Sequence, residues 1–408
     1  MHPSPRHFSL TQLLIERKTM KPLDGIRVIE LGNYIAAPTA SRLLADFGAE
    51  VVKVERPGRG DELRKWRLYG GDTSMLYRTL NRNKKSITLD LRDESDLVIL
   101  RKMVADADVL IENFRPGTLE KWGIGPEDLQ SINPDLVLCR ISAYGQTGPL
   151  SPQPGFAAVA EAFSGFRNLV GDPDRAPVRV GVSIGDSIAG LYAAFGAMMQ
   201  LFARERARSE EVQFSPQVVD VALYEAMFSM MESLIPDYSA YGKLRERVGG
   251  RAEGIAPSNA YVCKDGKSVV IAGNGDSIFQ RYMRIIGRPD LAEDPGLSDN
   301  ALRWNRRVEL DNAIEEWTQS KESEEVLRTL DAEGVPAGPI FTAEDILENR
   351  QYHAREMLQK FNVDTGANSQ QEVYFPGIVP VLGDNPERIQ SIGPDLGEHN
   401  DEIKSKYS

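Results

Sequence analysis

The chain has 408 residues, 41% of them hydrophobic and 26% charged; this is an ordinary globular composition, and at roughly 150 residues per domain it predicts two or three domains. A formal net charge of −12 disfavours nucleic acid as a partner, because phosphate backbones attract basic surfaces. The longest strongly apolar stretch, 191–202, is too short to cross a bilayer, so a membrane partner is not expected either.

The first twenty residues differ from the rest, since their Arg and Lys outnumber a single Glu and Ser and Thr lie between them. Two interpretations stay open for this N-terminal extension, a disordered segment or a mitochondrial transit peptide. Two cysteines and four histidines predict no metal site and a reducing compartment, with Cys139 as a buried structural thiol. The predicted location is therefore the cytoplasm, with the mitochondrion as the alternative.

The first part of the chain alternates predicted strands and helices. Apolar runs predict strands at 26–31, 51–54, 87–91, 108–111 and 136–141, and helical spacing predicts helices at 38–47 and 95–104. This alternation predicts an α/β fold with a Rossmann-like open parallel sheet. The first strand-to-helix turn, 32–38, lacks the Gly-x-Gly-x-x-Gly pattern, so a dinucleotide site is not expected.

The second part predicts a long helix from Asp186, another apolar helix at about 218–235, and a linker at 243–254. A hairpin at 261–263 and 268–272, followed by helices near 278–286, 307–317 and 323–332, predicts a smaller α+β domain. The predicted organisation is an N-terminal extension at 1–20, a large Rossmann-like domain at 21–240, the small domain at 245–340 and a return segment at 345–408 that completes the large domain.

Two short segments could carry chemistry. Asp186 follows Gly185 and opens an apolar helix, where N–H groups and the helix dipole favour an ionised carboxylate that can act as a nucleophile. The same position suits a simple N-cap, so both interpretations stay open from the residues alone. The loop Gly273-Asn274-Gly275 could bring backbone N–H groups close to a ligand, or could be an ordinary strand-to-helix turn.

Arginines recur just after predicted strand ends, where open α/β sheets bind ligands. They include Arg56, Arg92 and Arg115, and their guanidinium groups suit a phosphate-bearing ligand. Each alone is more typical of a solvated surface charge, so their recurrence is the informative observation.

Several segments, taken in order along the chain, resemble motifs of the class III CoA-transferases, a family that also contains α-methylacyl-CoA racemases. These segments are 22–28, 46–58, 81–87, 112–117, 144–149 and Gly185-Asp186. The resemblance extends from Pro22 to the 397–400 segment and is strongest to the succinyl-CoA:dicarboxylate branch. It implies that Asp186 is catalytic, forming first a mixed anhydride and then an aspartyl-CoA thioester. It also implies an interlocked homodimer, in which each chain passes through a hole in the other.

The resemblance implies no permanently bound cofactor, since coenzyme A and acyl-CoA are substrates and carboxylic acids are the other partners. The glycine loop, Gly273, Asn274 and Gly275, would cover Asp186 and exclude water. The positions that match the CoA-binding site of the family are Tyr34, Ile35, Ala36, Arg56, Leu89, Arg92, Asn113, Phe114, Arg115, Lys121 and Phe156.

Two departures from the family pattern bear on the reaction. Phe156 stands at the position of the racemase histidine and cannot carry a proton, which disfavours racemisation. Ile35 stands where formyl-CoA:oxalate transferases have glutamine, which disfavours oxalate as the acceptor. We therefore predict a CoA-transferase acting from succinyl-CoA to a small dicarboxylate such as glutarate, itaconate or citramalate. The alternatives are an α-methylacyl-CoA racemase or epimerase, and a non-catalytic acyl-CoA-binding protein.

Overall fold

The computed structural model describes residues 20–366, 369–383 and 387–408, so the predicted N-terminal extension lies outside the described residues apart from Met20. The described strands are β1 (Arg27–Glu30), β2 (Glu50–Glu55), β3 (Lys84–Thr88), β4 (Val109–Glu112), β5 (Val137–Ser142), β6 (Val219–Ala222), β7 (Ser258–Val262), β8 (Ser268–Ala272), β9 (Ala337–Pro339), β10 (Leu358–Asp364) and β11 (Gln370–Pro376).

The described α-helices are α1 (Ala36–Asp46), α2 (Met75–Leu80), α3 (Glu94–Ala105), α4 (Thr118–Lys121), α5 (Pro126–Ile132), α6 (Ala157–Phe163), α7 (Ile184–Ser209), α8 (Leu223–Phe228), α9 (Leu234–Tyr241), α10 (Asp276–Ile285), α11 (Pro289–Ala292), α12 (Asn300–Asn305), α13 (Arg307–Gln319), α14 (Ser323–Ala332), α15 (Ala343–Glu348), α16 (Arg350–Ala354) and α17 (Asn400–Tyr407). Within the described ranges, no helix is both long and apolar enough to cross a membrane.

A six-stranded sheet in the order β3-β2-β1-β4-β5-β6 forms the centre of the first part of the fold. The pairings β1–β2, β1–β4, β2–β3 and β4–β5 are parallel, and Val28 of β1 faces Val51 on one side and Val109 on the other. Apolar β-branched side chains on both faces are typical of a parallel strand covered by helices. The predicted α/β class is confirmed, and the strand order is that of a Rossmann fold.

Residue contacts divide the chain into two compact units. The first comprises the chain up to Pro152, Ala189–Val221 and Gln359–Ser408, and the second comprises Gln153–Ile188 and Ala222–Leu358. The predicted large domain was continuous over 21–240, whereas these contacts interrupt it. The physical reason is that α6 packs against α8 within the second unit, where the Phe163 and Tyr224 rings meet edge to face at 5.1 Å.

The predicted helix at 218–235 is wrong in its first part, which forms strand β6, and the remainder is split between α8 and α9. Val218, Val219 and Val221 favour an extended backbone because their branched β-carbons restrict the side chain in a helix. The predicted hairpin is present as β7 and β8, which pair antiparallel with Tyr261 opposite Val269. Strand β9 adds to β8, and α10, α13 and α14 contribute side chains to the apolar core of this unit.

The end of the chain joins the edge of the large sheet. The His399 N–H donates to the Ser86 carbonyl at 3.0 Å, and the Asn400 side-chain oxygen accepts from the Thr88 N–H at 2.8 Å. Helix α17 packs on α3 and β3, and Ile403 is buried in the same apolar core as Leu100. The last residues of the chain therefore complete the first unit.

A buried ion network links the centre of this sheet to the loop after β1. The Lys53 ammonium lies 2.7 Å from Glu30 Oε1 and 2.9 Å from Asp61 Oδ2, and it also donates to the Gly32 carbonyl. Lys84 binds the other Glu30 oxygen at 2.8 Å, and all four charged side chains are buried. Burial alone would lower the pKa of Lys53, but the Asp61 and Glu30 carboxylates outweigh burial and raise it.

We expect Lys53→Met to lower the free energy of unfolding by about 3–5 kcal/mol, because it leaves the Asp61 carboxylate buried without its counterion and Glu30 with only one of its two. Lys85→Met is the matched control, because Lys85 lies on β3 and pairs with β2, the strand of Lys53. Its ion pair with Glu50 is partly exposed. Its loss should cost less than about 1 kcal/mol. Denaturant unfolding measures both, and equal losses would contradict the role of the network.

Candidate functional site

Asp186 lies in the first turn of α7, and the structure excludes the N-cap alternative. The helical hydrogen bonds begin at Ser183, whose carbonyl accepts from the Ser187 N–H at 3.1 Å, so Asp186 is inside the helix. Gly185 is buried, and a β-carbon there would lie 3.3 Å from Cγ of Glu161. A glycine therefore lets the start of α7 approach the side chain of Glu161 on α6.

Asp186 sits in an electrostatic setting suited to a reactive carboxylate. Burial raises the pKa of Asp186, and the neighbouring Glu161 carboxylate adds to this effect while the Arg179 guanidinium opposes it; the resulting pKa is about 6. At neutral pH the group is mostly ionised although it is poorly hydrated. A carboxylate in this state is more nucleophilic than one fully solvated by water.

A cavity of about 300 Å³ in the first unit brings together five of the predicted CoA-site residues, Tyr34, Arg56, Leu89, Arg92 and Phe114. These residues follow β1, β2, β3 and β4, so the cavity lies at the carboxyl ends of four adjacent strands. Open α/β sheets bind ligands in this place. Phe114 stacks edge to face on Trp122, which also lines the cavity, at 5.1 Å between ring centroids.

The structure does not bring the other predicted CoA-site residues into this cavity. Ile35 and Ala36 are buried, and Ile35 packs with Leu63 and Tyr77. The side chain of Asn113 binds the loop after β1. Its Oδ1 accepts from the Asn33 N–H at 2.8 Å, and its Nδ2 donates to the Asn33 carbonyl at 2.7 Å. The remaining three predicted residues are exposed: Arg115, Lys121 and Phe156. Phe156 belongs to the second unit.

The predicted glycine loop connects β8 to α10, and packing fixes its backbone. A β-carbon on Gly273 would lie 2.6 Å from the ring of Tyr282, so only glycine fits there. The Asn274 carbonyl accepts from Nη2 of Arg303 at 2.8 Å, and Arg303 is fully buried. Whether this loop covers Asp186 stays a prediction.

Sequence reasoning missed Glu161, Arg179 and Arg303. Glu161 carried a usable signal, because it is a lone acid in the apolar helix Ala157–Phe163 and is 1% exposed. Arg303 and Arg179 carried none, since one lies in a helix rich in polar residues and the other in an irregular segment.

The remaining candidates for reactive chemistry are thiols and metal ligands. Both cysteines are free and buried, and burial raises the pKa of Cys139 to about 12, which makes it a poor nucleophile. Among residues 20–366, 369–383 and 387–408, no cluster of His, Cys, Asp or Glu is arranged to hold a metal ion.

Comparison with known proteins gives consistent matches along the chain. The sequence model of CoA-transferase family III matches residues 23–400. A succinyl-CoA:D-citramalate CoA-transferase of Chloroflexus aurantiacus is 43% identical over 94% of this chain and 93% of that protein. The α subunit of a succinyl-CoA:L-malate CoA-transferase of that species is 38% identical over 94% of this chain and 88% of its own length. A CaiB/BaiF family protein of Brucella suis superposes with a TM-score of 0.81 at 34% identity, covering 95% of this chain and 100% of that one.

We expect Glu161→Gln to lower the pKa of Asp186 below its value of about 6, because the substitution removes a neighbouring negative charge. NMR titration of ¹³C-labelled carboxyl groups measures this pKa, and Asp186→Asn assigns the resonance. Glu225→Gln, on the exposed side of α8, is the control and should leave the titration of Asp186 unchanged. An unchanged pKa in Glu161→Gln would show that the two carboxylates do not interact.

Proposed function

Since this chain belongs to CoA-transferase family III, we propose that it transfers CoA from succinyl-CoA to a small dicarboxylic acid, with Asp186 as the nucleophile. The family resemblance of the motifs is confirmed over residues 23–400. The observation that carries the residue assignment is the poorly hydrated Asp186 carboxylate in the first turn of α7, with its pKa raised to about 6.

In the proposed reaction, a carboxylate oxygen of Asp186 attacks the thioester carbonyl carbon, the C–S bond breaks, and CoA leaves as a thiolate. The product is a mixed anhydride of Asp186 and succinate. The thiolate then attacks the Asp186 carbonyl carbon and releases succinate, which leaves an aspartyl-CoA thioester. No proton is gained or lost in these steps.

The second half repeats the exchange with the acceptor. The acceptor carboxylate attacks the aspartyl thioester, forms a second anhydride and releases the thiolate, which attacks the acceptor carbonyl and returns Asp186 to its free form. Water would hydrolyse the anhydrides and the thioester, so the site has to exclude it. The burial that raises the pKa of Asp186 supports this requirement.

For the acceptor, we favour a 2-hydroxydicarboxylate. Two of the most similar relatives carry succinyl-CoA with citramalate or malate in their names, and both acids have this structure. Glutarate and itaconate remain the acceptors to compare in a screen.

We further propose that the cavity of the first unit binds CoA as a substrate. Arg56 and Arg92 supply guanidinium groups for phosphates, and Leu89, Phe114 and Trp122 supply an apolar wall. Asn113 acts indirectly, by holding the backbone of Asn33 at the edge of the cavity.

The racemase alternative finds no support in the histidines that the structure describes. His399 Nδ1 accepts from the Ser86 N–H, and His353 Nε2 contacts the Leu347 carbonyl at 2.6 Å. Phe156, at the racemase histidine position, is an exposed aromatic residue with no acid–base chemistry. A non-catalytic acyl-CoA-binding protein is the outcome if no adduct forms on Asp186.

We also infer a homodimer, and an apolar stripe on α7 supports it. Leu191, Phe195, Met199 and Phe202 recur at helical spacing and are between 52% and 67% exposed in the single chain. A continuous apolar stripe of this kind is typical of a protein interface. The interlocked arrangement implied by the family resemblance stays a prediction.

For the nucleophile, we expect succinyl-CoA with hydroxylamine to modify the native protein covalently at Asp186, and Asp186→Asn to abolish both the modification and CoA transfer. In the native protein the rate should fall as the pH is lowered through about 6, because a protonated carboxyl is not nucleophilic. Peptide mass spectrometry and transfer assays measure these effects. Asp172→Asn, at an exposed acid of the same unit, is the control; full transfer by Asp186→Asn would end the proposal.

For the CoA cavity, we expect Arg92→Gln to raise KM for succinyl-CoA about tenfold, the size of one charge-assisted hydrogen bond at a partly solvated site. Arg101→Gln is the control, because Arg101 is paired with Glu94 on α3 and does not line the cavity. Steady-state kinetics at fixed acceptor concentration measures KM. Equal KM values for both variants would place CoA elsewhere.

For the dimer, we expect light scattering to give twice the 45.3 kDa mass of one chain. Phe195→Lys combined with Phe202→Lys should lower this mass or produce aggregates, because charges replace the centre of the apolar stripe. Val98→Lys, an exposed apolar position on α3, should leave the mass unchanged. A monomeric native protein would refute the dimer.

A further inference from the structure

We propose, on the basis of the function above, that Arg179 binds the free carboxylate of the dicarboxylyl group while its other end reacts at Asp186. Arg179 would thereby select dicarboxylic over monocarboxylic substrates. The argument depends on three side chains of the second unit: Arg179, Glu161 and Asp186.

Arg179 is anchored on one side only. Its Nε lies 3.4 Å from Oε2 of Glu161, while 39% of its side chain remains exposed. Within the part of the chain that the structure describes, its two Nη atoms make no hydrogen bond, unlike Nη1 of Arg247, which donates to the Asn168 carbonyl at 3.0 Å. The outer edge of the guanidinium is therefore open to a planar anion such as a carboxylate.

Glu161 explains why the guanidinium stays in this place. Its carboxylate is 1% exposed, and its Oε1 has no hydrogen-bond partner among the described residues. A buried carboxylate with so few partners binds its one cation strongly, because the charge has no water to compensate it. A β-carbon on Gly185 would lie 3.4 Å from that oxygen, which places Glu161 next to the residue preceding Asp186.

The charge balance of the cluster changes during the reaction. Before reaction, the Arg179 guanidinium lies 3.4 Å from the Glu161 carboxylate, and its positive charge also acts on the Asp186 carboxylate, whose pKa it lowers. Once Asp186 is acylated it is neutral, and Arg179 no longer shares its charge between two anions. The free carboxylate of a succinyl group, two methylene groups from the reacting carbonyl, then becomes the second anion of the cluster.

The test compares succinyl-CoA with its uncharged amide analogue, succinamoyl-CoA, in formation of the Asp186 adduct and in transfer. We expect the native protein to favour succinyl-CoA, and Arg179→Gln to lower the ratio of kcat/KM for the two thioesters by at least about tenfold. For Arg179→Lys, this ratio should lie between the values for the native protein and for Arg179→Gln, since lysine keeps the positive charge but lacks the planar guanidinium. Arg175→Gln is the matched control, because Arg175 is in the same segment and 76% of its side chain is exposed.

Equal losses for both thioesters in Arg179→Gln, or no preference in the native protein, would overturn the role of Arg179 and leave the proposed function intact. Failure of the proposed function gives a different result, because the native protein would then form no Asp186 adduct with either thioester. Unfolding midpoints of all variants separate a folding defect from lost recognition, and Arg179→Lys provides the answer if Arg179→Gln does not fold.

Discussion

Glu30 binds the ammonium groups of Lys53 and Lys84 at a depth where none of the three side chains reaches solvent. Dehydrating each charge is costly, so the group is stable only when every partner is present. Lys53 and Asp61 also fix the loop after β1, because Lys53 donates to the Gly32 carbonyl and Asp61 accepts from the Tyr34 N–H. The φ of Tyr34 is 63°, which is unusual for a residue other than glycine. Because Tyr34 lines the cavity, the shape of that cavity depends on ion pairs behind it.

The fold could be predicted where the pattern of apolar residues is local. Both ends of β1, α1 and β2 lie within two residues of their predicted positions, because each element buries a regular apolar face. The region around Val219 was not, because a short strand between helices is stabilised by its sheet neighbour and not by its own periodicity. The assignment of 153–188 to the second unit had no local signal either, since it depends on the packing of α6 against α8.

The candidate site shows the same division. Asp186 and the residues after the strand ends could be found from motifs, because glycine and arginine at such places have a specific use. Arg303 could not be found in this way, because its partners, the Ala256 and Asn274 carbonyls, are distant in sequence. Glu161 stood out as a lone acid in an apolar helix, but its role depends on Arg179, which only the structure places beside it. The roles of buried charged residues that hold loop backbones in place therefore have to be read from the structure.

The contacts of His399 and Asn400 with β3 have a consequence for the solubility of the folding chain. β3 is the edge strand of the large sheet, and His399 and Asn400 occupy the backbone groups of Ser86 and Thr88 there. That edge is exposed whenever residues 397–408 have not yet folded onto the sheet. An exposed strand edge invites pairing with other chains. Removal of residues 397–408 should therefore yield insoluble protein, even though every residue of the proposed site is retained.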